Sequence, residues 1–600
     1  MILSKEFFDR CSPSYQKVIG TLEQKIAAIK SNNRENMIAK RHEIILNFSK
    51  NYYTPMEYWK LQVPFNAMLR SYEEWANMGY SEVYINQNYN QALRVRYDSI
   101  DVSDLGFGDP KRDRDQYLYA LDFEDFEDPQ CLKADLRDIN YPNSNIRDFY
   151  QIYERQLSCP PSNKLIKRYK AMKDLYVKIK AAEDDVEEWF KLLTEVGIDK
   201  FVQHNVEFRL SNNLFDTKLW KLYIDFLKLE HPKEMFLWYS KYCRFFLDDL
   251  EMKEKYKKEY EEYGPVHLPW DNLFDFEAVN EADEEMEDNE DLDDISDDDM
   301  EDDEEDYDSF DDDMDYDDED EIGISESDME ASPPFQAIAV NFYKTMKTQK
   351  FALSKPIMDY ILENADHLVL RKLFKSCKFF FAKKKTPICY YFKITGSKTS
   401  FFNEKLALKR SSDSKNLLNN TYVTTTFECV VSKYDKVRYD YLSKAVIPNL
   451  SRCDAKYIFI SCQNLSFNEI KFLIGHGNVI DFCFGGAIKD ANNKLVELEN
   501  IMQYLPNVEK LHLDNVKFNQ NTGHALANMK FNGKLYEICL QGIHGGPFDA
   551  LEFEKYCHTN RAKHFVLSLY FTSKGKHVNE FCNIMENYAD THEHTRLETE

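Results

Sequence analysis

Three short histidine-bearing stretches are where side-chain type and spacing suggest chemistry. Gly475-His476-Gly477 and His544-Gly545-Gly546 set an imidazole beside glycines, and His592-Glu593-His594 sets two imidazoles about a carboxylate. Imidazole titrates near neutrality, and it is a common metal ligand. The first two stretches read as turns between repeated units, using the positive φ that glycine adopts freely. The third lies in a polar C-terminal stretch with no third ligand nearby in sequence and reads as a frayed end. The chain has no Gly-Lys-Ser/Thr phosphate loop, no Gly-x-Ser-x-Gly elbow and no His-Glu-x-x-His helix. No catalytic, metal-ligating or cofactor-binding residue is therefore assigned, and the expectation is a protein that is not an enzyme and carries no cofactor.

Thirteen cysteines occur with no Cys-x-x-Cys spacing, and no secretory signal is read at the N-terminus. They are expected to be reduced thiols of a cytosolic or nuclear protein. No window approaches 18 uninterrupted apolar residues, so no membrane partner is expected. The net charge of −29 is concentrated: Glu281 to Asp320 holds 28 acidic residues and no Lys or Arg, leaving the remainder near neutrality. Such a remainder lacks the clustered basic face of a nucleic-acid binder. The tract is too charged and too poor in apolar residues to collapse, and reads as a disordered linker. Its carboxylates lack the Asp-x-Asp-x-Asp-Gly spacing of a calcium loop. Ser296, Ser309, Ser325 and Ser327 sit among acids, a setting that suits an acidophilic kinase.

The elements around these stretches are mostly helical in the first half. Gly and Pro are scarce at 18 each, and aromatics are high at 14%. Phe149, Ile152, Tyr153 and Leu157 recur at helical spacing within Ile146 to Leu157. Tyr119 and Phe123 give a second stripe, i and i+4, in Tyr117 to Glu124. Leu165 to Leu175 pairs with Val186 to Leu193, and Leu219 to Phe226 with Met235 to Phe246. Trp189 and Trp220 stand 31 residues apart, close to a helix-pair period. Leu250 to Tyr263 ends at Gly264-Pro265. The aromatics are expected to be core anchors. Burying one removes roughly 150–250 Å² from water, on the order of 4–6 kcal/mol, against about 0–1 kcal/mol for a surface pair such as Glu154–Arg155.

Trp75, then Tyr119, Phe123 and Glu124, then Tyr153-Glu154-Arg155, with Trp189, Trp220 and Tyr223 further on, resemble the HAT (half-a-tetratricopeptide) repeats of RNA-processing proteins. Among them the nearest likeness is to spliceosomal small-nuclear-RNP recycling factors. The resemblance implies stacked helix pairs, helix-to-helix contacts for Glu154 and Arg155, and protein partners within an RNA-processing particle. Those factors carry RNA-recognition modules after the repeats. None is present here, so RNA contact is expected to be indirect.

Past the acidic tract, Phe351 to Ala365 and Leu368 to Phe381 form a helix pair. Its order of Leu353, Pro356, Ile357, Ile361 and Leu373 resembles an F-box of a lineage-expanded family, which implies a ubiquitin-ligase adaptor as a further partner. From Cys389 onward, β-branched or aromatic runs alternate with helical ones. The runs include Tyr390 to Ile394, Tyr422 to Phe427, Lys456 to Ser461, Val479 to Phe484, Val508 to Leu513, Leu535 to Leu540 and Phe565 to Tyr570. Their spacing, and Leu505 to Leu513 in particular, resembles irregular leucine-rich repeats.

The expectation is thus a multidomain chain: a HAT-repeat α-solenoid over 1–276, an acidic disordered linker over 277–335, an F-box-like helical segment over 336–388, an α/β leucine-rich-repeat-like domain over 389–590 and a polar tail over 591–600. Its expected function is a protein-interaction scaffold in nuclear RNA processing, of the pre-mRNA splicing and small-nuclear-RNP assembly type. The alternative is a substrate receptor of a ubiquitin ligase.

Overall fold

Short oxygen-bearing side chains start the helices of this chain. In the computed structural model, Ser4, Ser12, Asp185, Asp216 and Asp249 each accept an amide from the turn that follows. They satisfy donors that no intrahelical carbonyl reaches. The structure describes residues 2–30, 34–60, 119, 121–122, 136–277, 351, 353–395, 399–409, 418–430, 440–546, 549–572, 576–591 and 595–599. Up to Glu277 these hold helices α1 (Lys5–Arg10), α2 (Pro13–Ala27), α3 (Arg34–Ser49), α4 (Met56–Lys60), α5 (Ile146–Gln156), α6 (Asn163–Ala181), α7 (Val186–Thr194), α8 (Asp199–Asn212), α9 (Thr217–Glu230), α10 (Pro232–Phe245) and α11 (Leu250–Tyr263). The acidic tract, with its four serines, lies outside the described residues.

Two compact units divide the chain: Met1–Ile152 with Asn163–Asp311, and Tyr153–Ser162 with Asp312–Glu600. The division therefore falls inside α5 as well as in the acidic tract. Composition alone shows only the second break.

Rings fill the core of the first unit. Trp220 is fully buried, its indole N–H donating to the Leu214 carbonyl at 2.9 Å. Tyr53, Trp238 and Tyr242 surround it, with ring centroids 5.1 to 5.9 Å away. Tyr223 is also buried and donates its hydroxyl to Glu207 at 2.9 Å. Trp189 is buried beneath the Arg209 guanidinium, 4.4 Å from the ring centroid.

Two expectations are corrected in this unit. Tyr119 does not lie on a helix: its φ is +79°, outside the right-handed region that a helical stripe requires. The Asn205 amide holds this stretch instead, donating to the Tyr119 carbonyl at 2.6 Å and accepting from the Leu121 amide at 2.9 Å. Glu277 does not open the linker. It is 1% exposed and accepts from Arg244 at 2.8 Å, Ser240 at 2.6 Å, the Tyr256 hydroxyl at 2.8 Å and the Phe274 amide at 2.8 Å. Arg244 in turn lies over Trp270 and Phe274 and donates to the Asn272 carbonyl at 2.6 Å. A carboxylate beside an acidic tract looks like part of it, but this one has enough donors to be buried.

The second unit begins with α12 (Lys355–Asn364), α13 (His367–Ser376) and α14 (Lys378–Lys383). Leu362 and Leu370 anchor them against Tyr422. The strands are β1 (Ile388–Thr395), β2 (Ser400–Phe402), β3 (Lys405–Lys409), β4 (Thr421–Cys429), β5 (Leu450–Cys453), β6 (Tyr457–Ser461), β7 (Leu465–Ser466), β8 (Asp481–Gly485), β9 (Ile488–Lys489), β10 (Lys510–Asp514), β11 (Lys517–Phe518), β12 (Leu535–Gly545), β13 (Arg561–Phe571) and β14 (Thr595–Thr599). The main sheet runs β14-β13-β12-β10-β8-β6-β4-β1-β3-β2. Along that path only the β2–β3 pairing is antiparallel. Tyr457 faces Asp481, Asp481 faces Lys510, Lys510 faces Glu537, Glu537 faces Val566 and Val566 faces Arg596. The chain thus advances 24 to 30 residues per strand.

The returns include α15 (Phe467–Ile474), α16 (Leu498–Met502), α17 (Thr522–Ala527), α18 (Ala550–Asn560) and α19 (Lys576–Thr591). Ser466 and Glu469 form a capping box on α15. No described helix is long and apolar enough to cross a membrane.

Of the glycine-histidine stretches, Gly477 turns at φ +74°, whereas Gly475 ends α15 in right-handed geometry. His544 is not in a turn. It belongs to β12, extended there by pairing with Lys517 of β11. The His592-Glu593-His594 stretch lies outside the described residues, but the polar tail expected over 591–600 is corrected: Thr595–Thr599 pair with β13 as the edge strand β14.

Glu277→Ala leaves Arg244 buried without its carboxylate and is expected to destabilise the helical unit by about 3–5 kcal/mol. A lowered thermal midpoint in circular dichroism is the expected reading. An unchanged midpoint would show that the pair does not hold this end of the unit.

Candidate functional site

Alternation along the parallel strands sorts the sheet into two faces. Ile458, Ile460, Phe482, Phe484, Leu511 and Leu513 join the core together with α15 and α16 residues such as Ile470 and Ile501. Their neighbours Tyr457, Phe459, Asp481, Cys483, Lys510 and His512 stand on the opposite face.

Tyr153–Ser162, part of this unit, reaches residues of that opposite face. The Glu154 carboxylate, 7% exposed, accepts from the Lys456 ammonium at 2.7 Å and the Tyr457 hydroxyl at 2.8 Å. The Arg155 guanidinium lies 5.3 Å from the Phe459 ring centroid and 3.7 Å from Asp481. Backbone groups continue the attachment. Thr426 donates to the Arg155 carbonyl at 3.0 Å, Tyr390 to the Glu154 carbonyl at 3.4 Å and the Glu404 amide to the Ser158 carbonyl at 3.0 Å.

The anchoring contacts thus span from β8 to the turn before β3. Burial pushes the Asp481 carboxyl up to about 6, against the pull of Lys510 and Arg155. It pushes the Tyr457 hydroxyl well up too, reinforced by the Glu154 charge beside it.

The repeat likeness presents Glu154 and Arg155 as signature residues in contact with neighbouring helices, and adjacency in the sequence presents them as a surface pair. The structure shows instead that Glu154 is buried and Arg155 partly so. Each finds its partners on the sheet, where a low-dielectric setting strengthens a well-made charged hydrogen bond. Tyr153 is half-buried, and Tyr119 packs against Tyr141 and His204. Trp189, Trp220 and Tyr223 stay in the helical core, apart from this site. Trp75, Phe123 and Glu124 lie outside the described residues.

A second feature of the same face was missed at the level of sequence. Cys483, His512 and Cys539 are register partners on β8, β10 and β12. Glu537 lies 3.3 Å from His512 Nε2, and Gln541 donates to Cys539 Sγ at 3.8 Å. Hydrogen bonding to the Cys483 thiol, then to Cys539 and to Glu537, raises the proton affinity of His512 far above the ordinary imidazole value. The signal was legible: in the runs Val479 to Phe484, Val508 to Leu513 and Leu535 to Leu540, these three residues occupy the same next-to-last column. Among the described residues, no group of three or more His, Cys, Asp or Glu is arranged to hold a metal.

The five residues of the F-box-like order separate into two sets. Leu353, Pro356 and Ile357 are exposed, whereas Ile361 and Leu373 are half-buried, Leu373 against the Leu362–Leu370–Tyr422 cluster. Leu353, Ile357, Tyr360, Leu368 and Val369, 42 to 67% exposed, make up five of the fifteen large apolar side chains exposed among the described residues. Arg371 braces the pair from below, donating through Nε to both Glu404 oxygens at 2.9 and 3.0 Å.

Glu154→Ala removes the acceptor shared by Lys456 and Tyr457 and is expected to weaken the seating of Tyr153–Ser162 by about 1–3 kcal/mol. Hydrogen exchange should quicken at the amides of Gln156–Ser162 and leave α9 unchanged. Unaltered exchange in Gln156–Ser162 would mean that the carboxylate does not hold the segment. Compared with models of known protein families and with curated protein sequences, the chain matches none.

Proposed function

We propose that the chain is a non-enzymatic protein-interaction scaffold with two binding modules. The observation that supports this most directly is the seating of Tyr153–Ser162. A polypeptide segment is held on a sheet face by charged side chains and by carbonyl contacts, the chemistry by which a partner's segment would also be held. The face continues past Asp481 to Lys510, His512 and Glu537, giving further polar and charged positions for a protein partner. The helical unit, through its likeness to HAT arrays, takes a protein of a nuclear RNA-processing particle of the splicing type, and RNA is reached through that protein. The α/β unit, in this reading, is an irregular leucine-rich-repeat array.

Affinity purification of the full chain from nuclear extract, with and without ribonuclease, tests this. Small-nuclear-RNP proteins are expected to be recovered and to survive ribonuclease treatment. Recovery that collapses with ribonuclease, or that contains no such proteins, would overturn the assignment to an RNA-processing particle.

A second reading, a substrate receptor of a ubiquitin ligase, is favoured by the exposed apolar side chains of α12 and α13. Exposed apolar surface concentrated in so short a stretch marks a contact site. An adaptor and a cullin are then expected to co-purify with the full chain. Ile357→Asp combined with Tyr360→Asp, both at exposed positions, should abolish that recovery without lowering the thermal midpoint. Absence of adaptor from the unmodified chain would end this reading.

A further inference from the structure

The row Cys483–His512–Cys539 brings two thiols to either side of one imidazole on adjacent strands. Cys483 is half-exposed, whereas Cys539 is buried. The imidazole between them is held from a third side by Glu537, at 3.3 Å from Nε2. A thiol beside an imidazole that readily holds a proton has the surroundings of a reactive cysteine. A carboxylate on that imidazole favours its charged form and fixes its orientation.

We propose that Cys483 is a thiol-modification site on this sheet face, with His512 as the charged partner of its thiolate, and that it takes low-molecular-weight disulfides. In this reaction Cys483 gives its proton to water, the charged His512 imidazolium steadies the thiolate, and the thiolate attacks one sulfur of the small disulfide. A new S–S bond forms to Cys483, the original S–S bond breaks, and the departing thiolate takes a proton from water. One disulfide is consumed, one mixed disulfide and one small thiol are made, and no net oxidant is required.

Cys539 does not resolve the adduct. Its strand and that of Cys483 flank β10, so two strand spacings, about 9.6 Å, separate them. A disulfide requires Cα atoms within about 7 Å. The modification is therefore one that persists until an external thiol removes it. It places a bulky group beside Phe459, the register partner of Cys483.

The test incubates the full reduced chain with oxidised glutathione, quenches at intervals and maps the adducts by peptide mass. Cys462 and Cys582, both half-exposed, serve as internal comparisons. Cys483 is expected to be modified first, on the order of tenfold faster than either. His512→Gln should erase that lead, and Cys539→Ser should leave the Cys483 adduct equally long-lived. Modification of Cys483 at the rate of Cys462 in the unmodified chain would overturn the proposal, and this comparison needs no variant to fold. An unchanged rate in a folded His512→Gln chain would overturn it equally. Neither outcome bears on partner recovery, so this inference and the scaffold reading fail separately.

Discussion

A parallel strand cannot be joined to its neighbour by a tight turn, and the α/β unit follows from that constraint. Each strand must be left by a crossover before the next can pair, so the chain spends 24 to 30 residues on every step from β6 to β14. Helices such as α15 and α16 take up part of that length and bury one face of the sheet. The other face keeps what the alternation leaves there. Its chemistry is therefore set column by column, with Tyr457, Asp481 and Lys510 in one row and Phe459, Cys483 and His512 in the next.

Two buried carboxylates show how charge is used against this apolar background. Glu277 and Glu154 are both nearly inaccessible, and each is met by a cation and by hydroxyl donors. Such groups add little net stability relative to an apolar replacement, but they penalise any arrangement that leaves them unpaired. They act as registration marks. Glu277 fixes the chain between Trp270 and the end of the helical unit, and Glu154 fixes Tyr153–Ser162 against β6.

Much of the architecture was legible because periodicity reports local structure. The aromatic and apolar spacing around Trp189 and Trp220 gives helices, and the runs ending at Phe484, Leu513 and Leu540 give strands. What periodicity does not report is the partner. Tyr119 and Phe123 satisfy a helical spacing, yet the Asn205 amide, 86 residues from Tyr119, stabilises a turn there. Glu277 looks like its acidic neighbours until Arg244 is brought beside it. Glu154 and Arg155 were visible as a polar pair, but their partners lie some 300 residues on, in strands whose sequence carries no sign of an incoming segment. The Cys483–His512–Cys539 row shows in the sequence as a shared column of three apolar runs, but only strand pairing makes the three residues neighbours.

The placement of Tyr153–Ser162 also bears on how the gene can be divided. Ten residues of the α/β unit are encoded ahead of the acidic tract, on the far side of more than a hundred residues of the helical unit. A chain severed within that tract would give a C-terminal piece with Lys456, Tyr457 and Asp481 stripped of their Glu154 and Arg155 contacts. The composition advertises two interchangeable modules, but the polypeptide is interleaved, and neither half is inherited whole.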